Sequence, residues 1–475
     1  MAAEINDDIF FATIGELDSR LKAREFSDVD LVRAFAQRLE ELGPRYNALA
    51  LPLTEVAIRR AKEVDSDLKR ERYRGPLQGI PFGAKDLLSY ANHPTTWGAR
   101  PYAAQVFDYT ATALQKLDKT GAVLIGKLAM VELAGGGGYR FPSASMFGPG
   151  LNPWDRTRWS GGSSSGSASA VAAGLVPFAL GSETSGSILT PAAFCGVTGL
   201  RPTYGLVSRY GAMALSWTMD KIGPLCHSAE DCGLVLAVIA GGDHADPGSA
   251  HKGFYYAPQY ARPVKTLRIG YAPADFAEWA EPAARPAFEQ ALAVIRETGA
   301  QLVETRLPDL PYSALTATII QAEGASVFEP LIASGRVQEL ADAKQIAGLK
   351  AGLEISANDY LKAMRIRSQL QHKIRLLFVD VDVLISPSRF GPAPKVTEPL
   401  DKNPSGQTPK DLGLSALIPA GNLAGLPALS LPCGFTDGLP LGIQLVGPAF
   451  SEGVLLTVAK EFQTRTDWHR KRPKV

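Results

Sequence analysis

Residues 161–192 read GGSSSGSASAVAAGLVPFALGSETSGSILTPA. Two loops rich in glycine and serine, 161–167 and 183–187, flank a helical segment and a strand predicted at 176–181. Gly174 follows the helical segment, at the position where glycine commonly ends a helix. The first loop lies at the helix N-terminus, where free N–H groups favour negative charge, and glycine in the second lets the backbone approach a reacting carbonyl. The two loops are therefore predicted to converge on one point.

Strand-like and helix-like segments alternate through most of the remaining chain. The predicted strands lie at 79–84, 123–126, 176–181, 267–271, 379–385 and 442–446, and the predicted helices at 12–42, 53–69, 110–120, 284–297 and 358–378. Ser27, followed by Asp28 and Asp30, is placed to cap the second helix within the range 12–42. This alternation predicts an α/β layered fold. Two loops are also predicted, 244–263 as a candidate domain boundary and 388–413 as a candidate cover for a site.

Composition limits the classes of protein to which the chain can belong. The length of 475 residues by itself suggests roughly three domains. The chain carries 49 basic and 48 acidic side chains, so no general electrostatic attraction to nucleic acid or to an anionic membrane is expected. Four cysteines without a C-x-x-C pair, and no metal-ligand spacing with the six histidines, fit a reducing cytoplasm. No secretory signal and no apolar run of about 18 residues is present, so neither export nor a membrane span is expected.

One serine motif is typical of a different class of hydrolase. The segment GSSSG at 162–166 matches the G-x-S-x-G nucleophile elbow, with Ser164 at its centre. That motif requires a strand before the serine and a histidine late in the chain. The preceding segment, 152–160, is a poor strand, and His372 and His469 lie in polar surroundings. The sequence therefore disfavours this alternative.

A second pattern joins the two loops to an upstream lysine. Ser163 and Ser187 lie 24 positions apart, and Lys85 lies in the segment GIPFGAKD. Together they resemble the Ser–Ser–Lys machinery of the amidase signature family. Further segments similar to the family are NPWD at 152–155, AFCGVTGLRPTYGLVS at 193–208, DKIGP at 220–224, PCGF at 432–435 and LPLGIQLVG at 439–447. The resemblance covers nearly the whole chain and implies a single domain over 1–475, an α/β/α layered fold around a large mixed β-sheet with the helical segment 12–70 packed on it.

The resemblance implies a role for each residue of the pattern. The family's nucleophile falls on Ser187, its bridging serine, which follows a cis peptide bond, on Ser163, and its base on Lys85. Its oxyanion hole falls on the backbone of Thr184, Ser185, Gly186 and Ser187. A lysine can act as a base only when its pKa is far below its ordinary value of about 10.4, and burial has that effect. Asp86, the next residue, is therefore expected to point away from Lys85.

The chain departs from the family at two positions. The family usually has glycine where this chain has Ser185, and arginine where it has Leu189. Ser185 still offers a backbone N–H but requires a φ and ψ allowed for a residue with a Cβ. Leu189 removes a cation that would pair with the acidic residue Glu183. The departures affect the oxyanion geometry and the nearby pocket rather than the three catalytic side chains.

The resemblance implies an amidase that hydrolyses a carboxylic amide to a carboxylate and ammonia or an amine through a serine acyl-enzyme, with no metal or organic cofactor. A small amide is the expected partner; neither nucleic acid nor a membrane is expected, and a homodimer is left open. Two alternatives remain: the amidase subunit of a tRNA-dependent amidotransferase, which Ser185 and Leu189 mildly disfavour, and a non-catalytic scaffold, which the intact Ser–Ser–Lys set disfavours. Tyr139, Phe141 and Trp217 are candidates for an acyl pocket, although aromatic residues more often belong to the core.

Overall fold

The computed structural model describes residues 7–401 and 412–475. The strands are β1 (Leu49–Pro52), β2 (Pro81–Lys85), β3 (Val123–Leu128), β4 (Leu151–Asn152), β5 (Asp155–Trp159), β6 (Phe178–Glu183), β7 (Thr198–Arg201), β8 (Lys221–Cys226), β9 (Arg268–Tyr271), β10 (Gln301–Glu304), β11 (Val383–Pro387), β12 (Ala428–Thr436) and β13 (Leu439–Val446). The α-helices are α1 (Ile14–Lys22), α2 (Asp28–Leu42), α3 (Thr54–Lys69), α4 (Thr112–Lys119), α5 (Ser165–Ala172), α6 (Leu189–Cys195), α7 (Ala229–Ile239), α8 (Arg285–Glu297), α9 (Tyr312–Val327), α10 (Glu329–Ala333), α11 (Ala343–Gly352), α12 (Ala357–Leu377), α13 (Leu417–Leu423) and α14 (Glu452–Arg465). In these two ranges, no helix has the length and apolar character needed to cross a membrane.

A mixed sheet of 11 strands forms the centre of the fold, in the order β1-β3-β2-β6-β8-β7-β12-β13-β11-β9-β10. The strand β2 pairs in parallel with both β3 and β6, whereas β8 runs antiparallel to β6. Because β2 and β6 are parallel neighbours, their carboxyl ends, at Lys85 and Glu183, meet at the same edge of the sheet. Helices pack against the sheet. The predicted α/β fold around a large mixed sheet is confirmed.

The sequence predictions agree with most elements of the structure. Each of the six predicted strands is present with its ends shifted by a few residues. The strands without a counterpart in the prediction are β1, β4, β5, β7, β8, β10 and β12. The predicted cap of α2 is confirmed, since Ser27 Oγ accepts from the Asp30 N–H at 3.1 Å. The range 244–263 forms a loop with one short 3-10 turn. In the other predicted loop, residues 402–411 lie outside the described residues.

We propose that the chain forms one domain. The sheet takes its strands from residues 49 to 446 of the chain. The N-terminal helices α2 and α3 pack on β3 of this sheet. Arg38 of α2 also donates from Nε to the Gly174 carbonyl oxygen at 3.1 Å. The helical segment is therefore attached to the part of the fold that carries the two loops.

Asp28, in the first turn of α2, is a buried carboxyl group with no hydrogen-bond partner among the described residues. Burial raises its pKa to about 7, and the Asp65 carboxylate adds to the rise. The folded protein therefore keeps this proton up to about pH 7, whereas the unfolded chain releases it near about pH 4. Raising the pH through this window costs stability, by up to about 4 kcal/mol at about 1.4 kcal/mol per pKa unit.

We expect Asp28→Asn to stabilise the protein, and by more at about pH 8 than at about pH 5, because the amide has no proton to lose. Urea unfolding of the variant and the wild type at both pH values measures the two differences in free energy. Asp309→Asn, at an exposed carboxylate, serves as the control. A stability difference between Asp28→Asn and the wild type that stays constant from about pH 4 to 8 would contradict the prediction.

Candidate active site

The first Gly/Ser loop leads into α5, a helix of small side chains that are all buried. At Gly166, a Cβ would come within 2.5 Å of the Ala48 carbonyl oxygen and 2.6 Å of the Ala129 carbonyl oxygen, a contact that only glycine avoids. Gly174, with a φ of +65°, follows the end of the helix as predicted. The close packing fixes the start of α5, and with it Ser163, against the end of β3.

The second Gly/Ser loop is held by Glu183, the last residue of β6. Its Oε2 accepts from the backbone N–H groups of Ile188 at 2.9 Å and Leu189 at 3.0 Å. Its Oε1 accepts from Arg201 Nη1 and Asn422 Nδ2, both at 2.8 Å. Burial would raise the pKa of Glu183, but the Arg201 guanidinium and these hydrogen bonds lower it to about 2. Glu183 is therefore ionised, and Arg201 of β7 supplies the cation that the family pattern places at position 189.

Lys85, the last residue of β2, is completely buried among three serine hydroxyls. Its Nζ lies 2.7 Å from Ser163 Oγ and 3.0 Å from both Ser164 Oγ and Ser182 Oγ. The Ser182 carbonyl oxygen is a fourth neighbour, at 3.5 Å. An ammonium group usually pairs with a carboxylate in a protein interior, and here it meets only neutral oxygens. The surroundings therefore favour the neutral amine.

The charge state of Lys85 follows from this burial. Burial lowers the pKa of Lys85 to about 7, although the more distant Asp220 and Glu183 carboxylates act to raise it. The adjacent Asp86 does not oppose the shift, because its Oδ1 pairs with Lys127 Nζ at 2.8 Å. The side chain of Asp86 thus points away from Lys85, as expected. Near neutral pH a large fraction of Lys85 is an uncharged amine that can accept a proton.

The backbone of the second loop presents unused hydrogen-bond donors. Gly186 has a φ of +85°, a conformation that favours glycine, whereas Ser185 has no positive φ and takes a conformation open to any residue. The N–H groups of Ser185, Gly186 and Ser187 donate to no acceptor within the described parts of the chain. Three donors in sequence are thus available to a bound oxyanion.

The two loops meet near Ser187. The backbone N–H of Ser164 donates to the Ser187 carbonyl oxygen at 3.2 Å. The peptide bond between Gly162 and Ser163 is cis, which agrees with the family resemblance. In the described structure no hydrogen bond joins the hydroxyls of Ser163 and Ser187. The structure thus brings Lys85 and Ser163 into contact and places Ser187 on the adjoining loop.

The nucleophile-elbow alternative finds little support in the geometry. Ser164 is completely buried, and its Oγ donates to the Ser182 carbonyl oxygen at 3.1 Å. The preceding strand, β5, belongs to a separate two-stranded sheet rather than to the large one. His372 is exposed on α12, and no histidine within the described ranges bonds to Ser164.

Several residues of the site have no role in the sequence analysis. Ser182 contacts Lys85, and its place one residue before Glu183 is the signal that would have identified it. Asp220 Oδ1 accepts from Thr184 Oγ1 at 2.6 Å and so holds the start of the second loop. Asp220 and Arg201 both lie in segments that resemble the family, but the resemblance gave neither residue a role. No local pattern marked Asn422.

A cleft opens beside the two loops. It is lined by Gly162, Ser185, Gly186, Tyr139, Phe194 and Arg389, together with residues from the segments 277–285 and 387–400. Of the three aromatic candidates, only Tyr139 lines this cleft. Trp217 lines a separate pocket together with Asp220. The ring of Phe141 packs against the Arg140 guanidinium. Among the described residues no cluster of three or more histidine, cysteine or acidic side chains is arranged to hold a metal ion.

The chain matches a known protein family and is similar to several proteins over nearly its whole length. Residues 30–456 match the family model described as Amidase. The chain is 36% identical to the A subunit of glutamyl-tRNA(Gln) amidotransferase from Chloroflexus aggregans, over 98% of this chain and 99% of that protein. It is similarly 36% identical to the protein of the same name from Methylococcus capsulatus, over 97% of this chain and 98% of that protein.

Solved structures of similar chains share the whole fold. The native peptide amidase from Stenotrophomonas maltophilia superimposes with a TM-score of 0.83 at 30% identity, covering 98% of both chains. A chain from a vestigial protein complex that bears on the origins of an s-triazine catabolic enzyme gives a TM-score of 0.87 at 30% identity, covering 98% of this chain and 100% of that one. The structural likeness thus extends over nearly the whole chain.

Proposed function

This chain belongs to the amidase family, and from that premise we propose that it cleaves a carboxylic amide through an acyl-enzyme on Ser187. The observation that carries the proposal is the burial of Lys85 against Ser163, beside a loop with three free N–H groups. A non-catalytic scaffold does not need a buried lysine against a serine hydroxyl beside a loop of unused N–H groups. The catalytic set is accordingly Lys85, Ser163 and Ser187.

The proposed reaction begins with proton transfer away from the nucleophile. Neutral Lys85 accepts the proton of Ser163 Oγ, Ser163 takes the proton of Ser187 Oγ, and Ser187 attacks the amide carbon. Catalytic hydrogen bonds often tighten only when substrate binds, which suits the absence of a direct bond between the two hydroxyls here. The backbone N–H groups of 185–187 stabilise the oxyanion, by about 3 kcal/mol for each donor.

The second half of the reaction returns the proton and releases the acid. Ser163 protonates the leaving nitrogen, the C–N bond breaks, and ammonia or an amine departs from the acyl-enzyme. Lys85 then returns its proton to Ser163. Water attacks the ester carbonyl and its proton passes through Ser163 to Lys85. The bond between the acyl carbon and Ser187 Oγ breaks, the proton returns through Ser163 to Ser187 Oγ, and the acid is released. The sum is one amide and one water giving one acid and one amine.

The comparisons favour one setting for this chemistry, the amidase subunit of an amidotransferase that uses charged tRNA. The curated relatives that carry this name are 36% identical over nearly their full length. The departures at Ser185 and Leu189 do not oppose it, because Ser185 takes an ordinary φ and Arg201 supplies the missing cation. In that setting the chain would release ammonia for use by protein partners, whereas a free-standing amidase would act alone.

A serine-directed fluorophosphonate should label Ser187, because this hydroxyl is the nucleophile of the proposed reaction. The adduct is mapped by mass spectrometry of the purified chain, and Ser187→Ala is the control that should remain unlabelled. The same preparation is then assayed for the release of ammonia from small primary amides, with and without partner proteins. An adduct on Ser164 would contradict the proposal and favour the nucleophile elbow.

The amide assay also separates the two settings. Turnover by the chain alone supports a free-standing amidase. Labelling of Ser187 together with turnover that requires added partner proteins supports the amidotransferase setting. If the folded chain is neither labelled nor active on any amide, the proposed function as a whole is overturned.

A further inference from the structure

The cleft beside the two loops contains a guanidinium that forms no ion pair with any residue the structure describes. Arg389 follows the end of β11 by two residues, and its side chain is exposed within the cleft. It forms no hydrogen bond and no ion pair with any described residue. Protein atoms surround it closely enough to lower the pKa of the guanidinium, yet an arginine stays protonated in proteins. The positive charge is thus neutralised by no ion pair within the described parts of the chain.

Two other enclosed arginines in the described part of the chain are paired with carboxylates, whereas a third, Arg367, donates to the Leu423 carbonyl oxygen and to Thr218. Arg201 contacts Glu183 at 2.8 Å and Arg209 contacts Asp246 at 2.8 Å. The ionisable group that acts on Arg389 is the Tyr139 phenol, which carries no charge at neutral pH. The strongest hydrogen bonds that a guanidinium makes are those to an anion, and Arg389 makes none of these with a described residue. The arrangement therefore suits an anion that arrives with the substrate.

The position of Arg389 relates it to the reacting atoms. Its Cζ lies 5.9 Å from the centre of the Phe194 ring, a cation–π contact that holds the guanidinium in place. The Tyr139 hydroxyl lies 3.2 Å from the point where a Cβ on Gly162 would stand, next to Ser163. Neither Tyr139 nor Arg389 uses its polar atoms in a hydrogen bond to a described residue. Both donors thus remain free in the cleft that the oxyanion loop borders.

We infer that Arg389 binds a carboxylate on the acyl part of the substrate. The amide cleaved at Ser187 is then a primary amide of an acid that carries a second, ionised carboxyl group. A guanidinium matches a carboxylate with two parallel N–H···O bonds, which fixes orientation as well as adding affinity. In the amidotransferase setting the leaving group is ammonia, which carries no carboxylate, so the anionic group lies on the acyl side. This inference rests on the proposed function and adds the substrate class to it.

The test compares matched amides that differ only in charge. Glutaramate carries a carboxylate, pentanamide is a neutral chain of similar length, and 4-aminobutanamide carries an ammonium. In the wild type, kcat/KM for glutaramate should exceed that for pentanamide by roughly 100-fold, as expected for charge-assisted hydrogen bonds. Arg389→Gln should reduce this ratio to near unity. Arg389→Lys, which keeps the charge without the fork, should give an intermediate ratio, and Arg389→Glu should shift the preference toward 4-aminobutanamide.

Controls separate this inference from the proposed function. Arg285→Gln removes another arginine that lines the cleft but donates to the Ala280 carbonyl oxygen, so the ratio should not change. Fluorophosphonate labelling of Ser187 reports whether each variant keeps its fold and nucleophile. If none of the three amides is turned over, the measurement is instead whether glutarate protects Ser187 from the fluorophosphonate. Protection in the wild type that is lost in Arg389→Gln supports the inference.

Two results would overturn the role of Arg389 while leaving the proposed function intact. One is equal turnover of glutaramate and pentanamide by the wild type. The other is an Arg389→Gln variant in which Ser187 is still labelled and which keeps the wild-type preference for glutaramate. Unchanged protection of Ser187 by glutarate in that variant would have the same meaning. Loss of labelling in the wild type itself would instead contradict the proposed function.

Discussion

Replacing Lys85 by arginine should lower kcat/KM for an amide by roughly 10³-fold and remove the rise in activity that the wild type shows near pH 7. In the wild type the neutral amine is the form that accepts the Ser163 proton, and burial brings the pKa of Lys85 to about 7. Activity should therefore rise as the pH passes through about 7 and level off above it. Arginine stays protonated throughout this range and cannot serve as the base.

The pH profile of kcat/KM for the two proteins is the decisive measurement. Arginine is larger than lysine in a fully enclosed site, so Lys85→Met, which keeps a similar length without the amine, should be measured beside it. Lys116→Arg provides a matched control, because Lys116 donates to backbone carbonyl oxygens at the end of α7 and takes no part in the site. If Lys85→Arg kept its activity and an unchanged profile, lysine would only hold a charge, and the Ser–Ser–Lys assignment would have to be abandoned.

The sequence predicted the strands that carry the site more completely than the strands beside them. The strand β6 is a short apolar run bounded by glycine and serine, a pattern that indicates a buried strand. Its neighbour β8 contains Gly223 and Pro224, which ordinarily interrupt a strand. The structure gives the reason for the glycine: a Cβ there would lie 2.0 Å from the Leu200 carbonyl oxygen of β7. Close approach of two strands is a tertiary property that no local pattern contains.

Contacts between distant segments of the chain also escaped prediction within the candidate active site. Lys85, Ser163 and Ser187 could be predicted because each lies in a short recognisable segment. The clamp on Glu183 was not found, since Arg201 and Asn422 reach it from 18 and 239 positions away. From the position of Leu189 alone, the sequence predicts that Glu183 lacks a cationic partner. In the structure Arg201, at the end of β7, supplies that positive charge. The fall in the pKa of Lys85 likewise depends on burial, which the motif indicates but cannot measure.

Ser163→Ala should lower kcat by about 10²–10⁴-fold while leaving the fold intact, because the variant loses the hydroxyl that carries the proton between Ser187 and Lys85. Ser163 Oγ is the nearest of the three hydroxyls to Lys85 Nζ, at 2.7 Å. The hydroxyls of Ser164 and Ser182, both at 3.0 Å, remain to hold the amine in place. The loss should therefore appear in turnover rather than in stability. Single-turnover acylation, thermal unfolding and circular dichroism measure the two effects separately.

Ser164→Ala distinguishes a relay from a simple ligand of the lysine. Its Oγ also contacts Lys85, but it donates to the Ser182 carbonyl oxygen and accepts from the Ser182 N–H at 3.2 Å, so it is committed to holding the loop. We expect this variant to lose more stability and less acylation rate than Ser163→Ala. If the two variants slowed acylation equally, the hydroxyls would serve only to surround the amine. Proton transfer would then have to pass directly from Ser187 to Lys85, because Ser163 would no longer be needed to connect them.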